Sequence, residues 1–577
     1  MKSTILSRRD LDFLLYEWLD VEKLTTLDRF TEHSRETFDG VLDLCEQLAT
    51  RYFAPHNKLS DAEEPTFDGQ AVTLIPEVKQ AWDAFAAADL IAMGMDAELG
   101  GAQLPATVAQ AAFAWISAAN VSTSGYLMLT IANADLLARF GSAEQIETFV
   151  KPMLAGRFSG TMALSEAQAG SSLADITTRA EPQSDGSYRL FGSKMWISGA
   201  EHEMTENIVN LVLAKIPGGP AGTKGISLFI VPKYLADGTR NGVAISGLNH
   251  KMGQRGITNT VLNFDGAVGY LVGEPHRGIV YMFHMMNEAR LGVGMGAVAL
   301  GYTGYLKSLE YARERPQGRP LGVKDPSTPQ VPIVEHADVK RMLLAQKAYV
   351  EGGLALALYC AKLVDTEDTA VLDILTPIAK SWPSQWCLEA NSLAIQVHGG
   401  YGYTREYDVE QHYRDNRLNP IHEGTHGIQS LDLLGRKVTQ NGGAHLAALG
   451  ERIAATVAAA GNQGAAAASG TAPDLASQLD AAWQRLVAVT GAMFASGDVE
   501  AAMANSAVYL EAFGHIVVAW IWLEQVLAAS GLEGEFYDGK RQAARYFFRY
   551  ELPKTAPQLD LLESLDRTTL EMRDGWF

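Results

Sequence analysis

The chain has 577 residues, enough for several packed units, and its 47% apolar and 20% charged residues supply a sizeable core. A net charge of −20 argues against nucleic acid as a main partner, because phosphate binding needs a basic surface. Cys45, Cys360 and Cys387 are far apart, odd in number and without CxxC spacing. They exclude a disulfide framework or zinc ribbon and fit a reducing compartment.

The first residues, MKSTILSRRDLDF, lack the apolar core of a signal peptide. A polar, aromatic-dotted lead occupies 1–36. Residues 37–157 are Ala-rich and helical in pattern, with Phe140-Gly141-Ser142 reading as a helix end and a new cap. From 158 to 278 short β-rich runs alternate with turn residues, as at Val209 to Ile216 and Val261 to Phe264, which predicts a β-domain. Helical spacing returns over 279–440, where Val339, Met342, Leu343 and Tyr349 predict a helix bundle. An Ala/Gly-rich linker is expected over 441–474, its low-complexity part reading as linker or weakly packed helix end, and Leu479, Trp483, Leu486 and Met493 predict a separate helical domain over 475–577. The longest apolar run, Ala512 to Leu523, falls short of the roughly 20 residues a bilayer needs and reads as a buried helix. The fold expected is mainly α with a central β-domain, in a soluble, cytoplasmic protein without a membrane span.

Five segments could carry chemistry. Ala163 to Ser172 puts hydroxyls and glycines in a turn, where backbone N–H groups can meet a ring edge or a phosphate. In Lys194-Met195-Trp196-Ile197-Ser198, alternation puts Trp196 and Ser198 on one strand face, a ring to stack on and a hydroxyl beside it. Arg313 to Arg319 ends a helix with guanidinium forks suited to phosphate. Gln396-Val397-His398-Gly399-Gly400 offers paired glycines for close backbone approach. In Ile421-His422-Glu423-Gly424-Thr425-His426, a carboxylate beside glycine suits a general base. Read literally, that last string is also HExxH, the zinc metalloprotease motif. It would need one unbroken helix, which Gly424 and the Asn419-Pro420 just upstream oppose.

In this order and spacing, the five segments resemble the acyl-CoA dehydrogenase family over residues 40 to 440. The added ends, with Gly199 to Asn207 and Met286 to Arg290, resemble its long subfamily that includes 3-methylmercaptopropionyl-CoA dehydrogenase. The resemblance implies a helical domain, a β-barrel or sandwich domain and a four-helix bundle, followed by the extra helical domain. It implies FAD as cofactor, contacted by Met162, Leu164, Ser165, Gly170, Ser171, Trp196, Ser198 and Thr425. Arg315, Gln317, Gln396, Gly399 and Gly400 would reach the FAD of a neighbouring subunit. It assigns Glu423 as the base that takes the α-proton of an acyl-CoA thioester while the β-hydride leaves to the flavin. Ser171, Asn287, Arg290 and Gly424 would lie along the substrate. Electron-transfer flavoprotein as acceptor and a homodimer are implied too.

The chain departs from the family pattern at His422 for the usual Tyr, Ser172 for an acidic residue, Ala167 for Pro and Gly318 for an aromatic. A medium- or long-chain acyl-CoA of fatty-acid β-oxidation is the first substrate expected, and 3-methylthiopropanoyl-CoA the second. The rival classes are an oxidase that passes electrons to O₂, the HExxH protease, and a non-catalytic scaffold, against which Glu423, Arg290 and Trp196 argue.

Overall fold

The computed structural model describes residues 3–463 and 471–577. Two compact units emerge: residues 28–105 with 112–292, and residues 1–27 and 106–111 with 293–577.

The first unit joins helices to a seven-stranded sheet. Its strands are β1 (Phe158–Ala163), β2 (Arg179–Pro182), β3 (Tyr188–Ser198), β4 (Asn207–Lys215), β5 (Ile226–Pro232), β6 (Val243–Leu248) and β7 (Asn259–Leu271). The pairings run β1-β4-β2-β3-β7-β5, and β5 pairs again with β4, so five strands close on themselves. Inside, Ala180, Leu190, Val212, Phe229, Leu262 and Phe264 form a buried cluster. Both β4 and β5 are apolar along nearly their whole length and buried on both faces. The Val121–Phe140 helix is fastened to this sheet through Asn133, whose Nδ2 donates to the carbonyls of Thr161 at 3.0 Å and Val209 at 2.8 Å. Gly160 is obligatory there, since a Cβ would lie 2.6 Å from that of Asn133.

The second unit is helical. Long helices cover Ala337–Asp365 and Thr369–His398, and the Gly278–Glu314 helix enters the unit at residue 293. Gly294 and Gly301 allow close helix packing: a Cβ on Gly294 would stand 2.1 Å from the Ala379 carbonyl. The helix Ala106–Ala119 is capped from outside, because Asp365 accepts from the Ala106 N–H at 2.6 Å and the Thr107 N–H at 2.9 Å.

Three expectations gain detail. The lead segment is built into this unit: Leu11, Phe13, Leu14 and Leu15 are buried, and Phe13 packs edge-on against Phe536 with centroids 5.5 Å apart. Helices Ala444–Gln463 and Thr471–Ala495 occupy most of the expected linker, burying Leu449, Ile453, Ala460 and Leu475, because small apolar residues at helical spacing still present a packable stripe. Residues 464–470 of that stretch lie outside the described residues. The Ala512–Leu523 run extends into a 23-residue helix, Ser506–Ala528, long and apolar enough to cross a bilayer; 83% of its apolar window is buried within the protein.

Candidate active site

In the sheet-bearing unit, β1 delivers half-buried Met162, Leu164 and Ser165 to a tight turn in which Glu166 and Ala169 exchange backbone hydrogen bonds of 3.0 Å. Glu166 is the anchor. It is 4% exposed and pairs at 2.9 Å with Lys194, which is fully buried. It also accepts from the N–H groups of Thr177 at 2.7 Å and Thr178 at 3.0 Å. Burial opposes its charge, but Lys194 and the threonine donors outweigh it and hold the carboxyl at about 2. Burial likewise draws Lys194 down to about 8 against the pull of Glu166. The pair pins both ends of the loop and leaves Gly170, Ser171 and Ser172 exposed between them. Among the described residues no protein acceptor takes their three N–H groups. That is a row of donors ready for a ligand edge.

Simple alternation fails at Trp196. The β3–β7 register slips between Lys194 and Ile197, and Trp196 takes a left-handed φ of 66°. The bulge re-aims the side chain. Lys194 goes wholly inside, while the indole is 59% exposed. Ser198 is fixed beside it, its Oγ accepting from Asn259 Nδ2 at 3.0 Å and its carbonyl from Thr161 Oγ1 at 2.6 Å. In the same unit Arg290 is 3% exposed and its Nη1 donates to Asn287 Oδ1 at 3.4 Å.

In the helical unit, Glu423 is half-buried on a turn of left-handed backbone, φ 52° there and 92° at Gly424. A Cβ at 424 would lie 2.7 Å from Gln429 Nε2. Both carbonyls of the turn are gripped: Gln429 Nε2 donates to Glu423 O at 2.8 Å and the buried Lys380 Nζ to Gly424 O at 2.6 Å. Upstream, His422 Nε2 meets Asn419 Oδ1 at 3.0 Å, Asn419 donates to Asn416 at 2.8 Å, and Asn416 to Asn391 at 2.7 Å. Burial and Lys380 draw His422 down to about 3, so it is neutral and donates from Nε2. Helix starts only at His426, with Thr425 as its N-cap. The single helix that a HExxH metal site requires is therefore not formed, and His422 is spent on Asn419.

Arg315, Gln317, Gly399 and Gly400 line one cavity of about 460 Å³. The Arg315 guanidinium stands 5.8 Å from the Tyr401 ring centroid, and Tyr311 stacks on His398 at 4.3 Å. Gly399 has φ 62°, and a Cβ on Gly399 or Gly400 would meet nothing within 4 Å, so the glycines present open backbone. Gln396 is exposed one turn earlier on the Thr369–His398 helix, outside that lining. An arginine, bare glycine backbone and aromatic walls suit a phosphorylated cofactor. In the other unit, taken by itself, the donor loop of 170–172 with the exposed Trp196 suits a planar ring edge.

Motif reading passed over Lys380, Gln429 and the asparagine ladder. Lys380 did leave a signal, as a lone cation in the run Leu375 to Trp382. The ladder had none, because its members are spread over three elements.

Profile comparison matches four stretches of the chain: the acyl-CoA dehydrogenase N-terminal domain at 36–157, middle domain at 161–267 and C-terminal domain at 276–438, and an acetyl-CoA dehydrogenase C-terminal-like domain at 449–573. The 3-methylmercaptopropionyl-CoA dehydrogenase of Ruegeria pomeroyi is 36% identical over 93% of this chain and 94% of its own length. The broad-specificity linear acyl-CoA dehydrogenase FadE5 of Mycobacterium tuberculosis is 33% identical over 99% of both chains. Among solved structures, Caenorhabditis elegans ACDH-11 in complex with C11-CoA matches with a TM-score of 0.77 at 18% identity, covering 99% of this chain and 91% of its own. An acyl-CoA dehydrogenase complexed with FAD from Bacillus anthracis matches with a TM-score of 0.75 at 19% identity, covering 94% and 90%. With a fold of this order, a loop and cavity that fit FAD, and full-length relatives at this identity, the chain belongs to the acyl-CoA dehydrogenase family of flavoprotein oxidoreductases.

Proposed function

We propose that this protein removes two hydrogens across the α and β carbons of an acyl-CoA thioester, with Glu423 as the base. The observation that carries this reading is the doubly gripped turn at Glu423–Gly424. FAD, when bound, supplies the hydride acceptor. The carboxylate of Glu423 takes the α-proton, which a thioester releases only if charge developing on its carbonyl oxygen is met by a donor. The bonds from Lys380 and Gln429 hold the backbone of the turn, which supports a base whose Cα position is set before substrate arrives. The N–H groups of Gly170 to Ser172 and the exposed Trp196 would orient the flavin, Arg315 would hold the phosphates of a neighbouring subunit's FAD, and Arg290 and Asn287 would lie toward the substrate. Electron-transfer flavoprotein as acceptor and a homodimer complete the proposal.

A medium- or long-chain acyl group is the substrate proposed first, in keeping with the linear acyl-CoA relative. The second reading, 3-methylthiopropanoyl-CoA, draws on the 36% identity to the Ruegeria enzyme. One anaerobic titration separates them: bleaching of the flavin spectrum by acyl-CoAs of graded length and by 3-methylthiopropanoyl-CoA. Glu423→Gln should keep the flavin spectrum and slow bleaching by about 10³-fold. Bleaching at the wild-type rate in that variant would remove Glu423 from the role.

A further inference from the structure

Within the helical unit a second concavity, of about 450 Å³, is walled by four cations. Lys340 and Arg341 come from the start of the Ala337–Asp365 helix, and Arg545 and Arg549 from the Glu535–Tyr546 helix and the turn that continues it. No carboxylate lines the cavity, in a chain where 67 acidic residues outnumber 47 basic ones. Arg341 pairs with Asp338 at 2.8 Å, while Lys340, Arg545 and Arg549 have no ion-pair partner among the described residues. Gathering like charges in a concavity costs energy unless an anion is met there.

Two aromatic rings belong to the same face. Residues 545, 546, 549 and 550 recur at helical spacing, and Tyr546 and Tyr550 stack with centroids 4.6 Å apart and planes within 8°. Tyr546 is 7% exposed, whereas the Tyr550 ring is 56% exposed. A flat ring held in solvent beside guanidinium forks can stack a base while the forks take phosphates.

We propose that this cavity binds a nucleoside polyphosphate, with its phosphates on Lys340, Arg341, Arg545 and Arg549 and its base on Tyr550. Neither the proposed base nor the proposed FAD residues take part in it.

The test is calorimetric titration of FAD-loaded, full-length protein with ADP and with inorganic pyrophosphate. Saturable binding of both is expected, weakened at least about 30-fold in Arg545→Glu/Arg549→Glu. Tyr550→Ala should weaken ADP about 5-fold or more and leave pyrophosphate unchanged. Flavin bleaching by acyl-CoA should match wild type in both variants; if the double reversal fails to fold, Arg545→Gln/Arg549→Gln replaces it. The proposal is overturned if ADP does not bind saturably, or if binding survives the reversal and competes with acyl-CoA, which would put the nucleotide in the substrate's own site. Binding to phosphatidylglycerol vesicles without ADP binding would overturn it as well, since the patch would then read a lipid surface.

Discussion

Lys380 donates to the carbonyl of Gly424 at 2.6 Å, so a fully buried cation holds the residue that follows the proposed base. Gly424 accepts that bond in a left-handed conformation, with a φ of 92°. Gly424→Ala adds a Cβ 2.7 Å from Gln429 Nε2 and strains a φ of 92°. Flavin reduction should slow by at least about tenfold while FAD content stays at the wild-type level. Stopped-flow reduction beside the absorbance ratio of the purified protein checks both. An unchanged rate would mean that the turn tolerates displacement.

Arg315→Ala tests the cavity. Loss of the guanidinium should weaken FAD retention by about tenfold or more. The flavin-loaded fraction should still be reduced at close to the wild-type rate. Ultrafiltration gives the first quantity, and single-turnover reduction the second. The reverse pattern, tight FAD with slow reduction, would move Arg315 away from the cofactor.

Acid should destabilise this fold from mildly acidic pH downward. Burial draws His202 and His422 down to about 3 and His426 to about 4. Each binds a proton near 6.5 when unfolded but stays neutral when folded until far lower pH. Between those values the unfolded chain binds more protons, so stability falls as pH falls, by up to about 1.4 kcal/mol per pH unit for each histidine. Glu166 acts in the same direction at the low end, because its folded value of about 2 lies below its ordinary one, and its contribution is lost as pH drops toward that value. Thermal unfolding from pH 8 to pH 4 should show a midpoint that declines below about 6.5. His202→Asn should flatten the decline. A midpoint flat from 7 to 4 would contradict it.

A buried charge cluster sets another test. Lys540 is fully buried between Asp10 and Glu351, 2.9 Å from the latter, and its ammonium lies 5.1 Å from the Phe13 ring centroid. Lys540→Met leaves Asp10 without its ion pair and Glu351 with Lys347 alone, and should cost about 3–5 kcal/mol. Replacing Lys540, Asp10, Glu351 and Lys347 together by apolar residues should cost far less. Denaturant midpoints of the single and quadruple variants decide this, and equal losses would refute it.

Periodicity was enough to read the order of helices, β-domain and helices, because amphipathic spacing is local. The turn proposed to carry the base could be singled out because Glu-Gly is a contiguous string. What escaped was non-local. The slip at Trp196 depends on β7 and cannot be read from β3, and Asn391, Asn416 and Asn419 are unremarkable until three separate elements bring them into line. Composition also misled. The alanines of 454–461 resembled a linker, yet Ile453, Thr456 and Ala460 line up as one buried stripe while the alanines between them face outward.

The contact between Asp10 and Lys540 has a temporal side. During synthesis residue 10 leaves the ribosome long before residue 540 exists, so the aspartate that ends up sealed in the core must wait for a countercharge made near the completion of translation. Loop closure over so many residues is slow and comes late. The lead segment can meet Tyr302 and Lys362 earlier, but its packing of Phe13 on Phe536 and of Asp10 on Lys540 is completed only after the Glu535–Tyr546 helix exists.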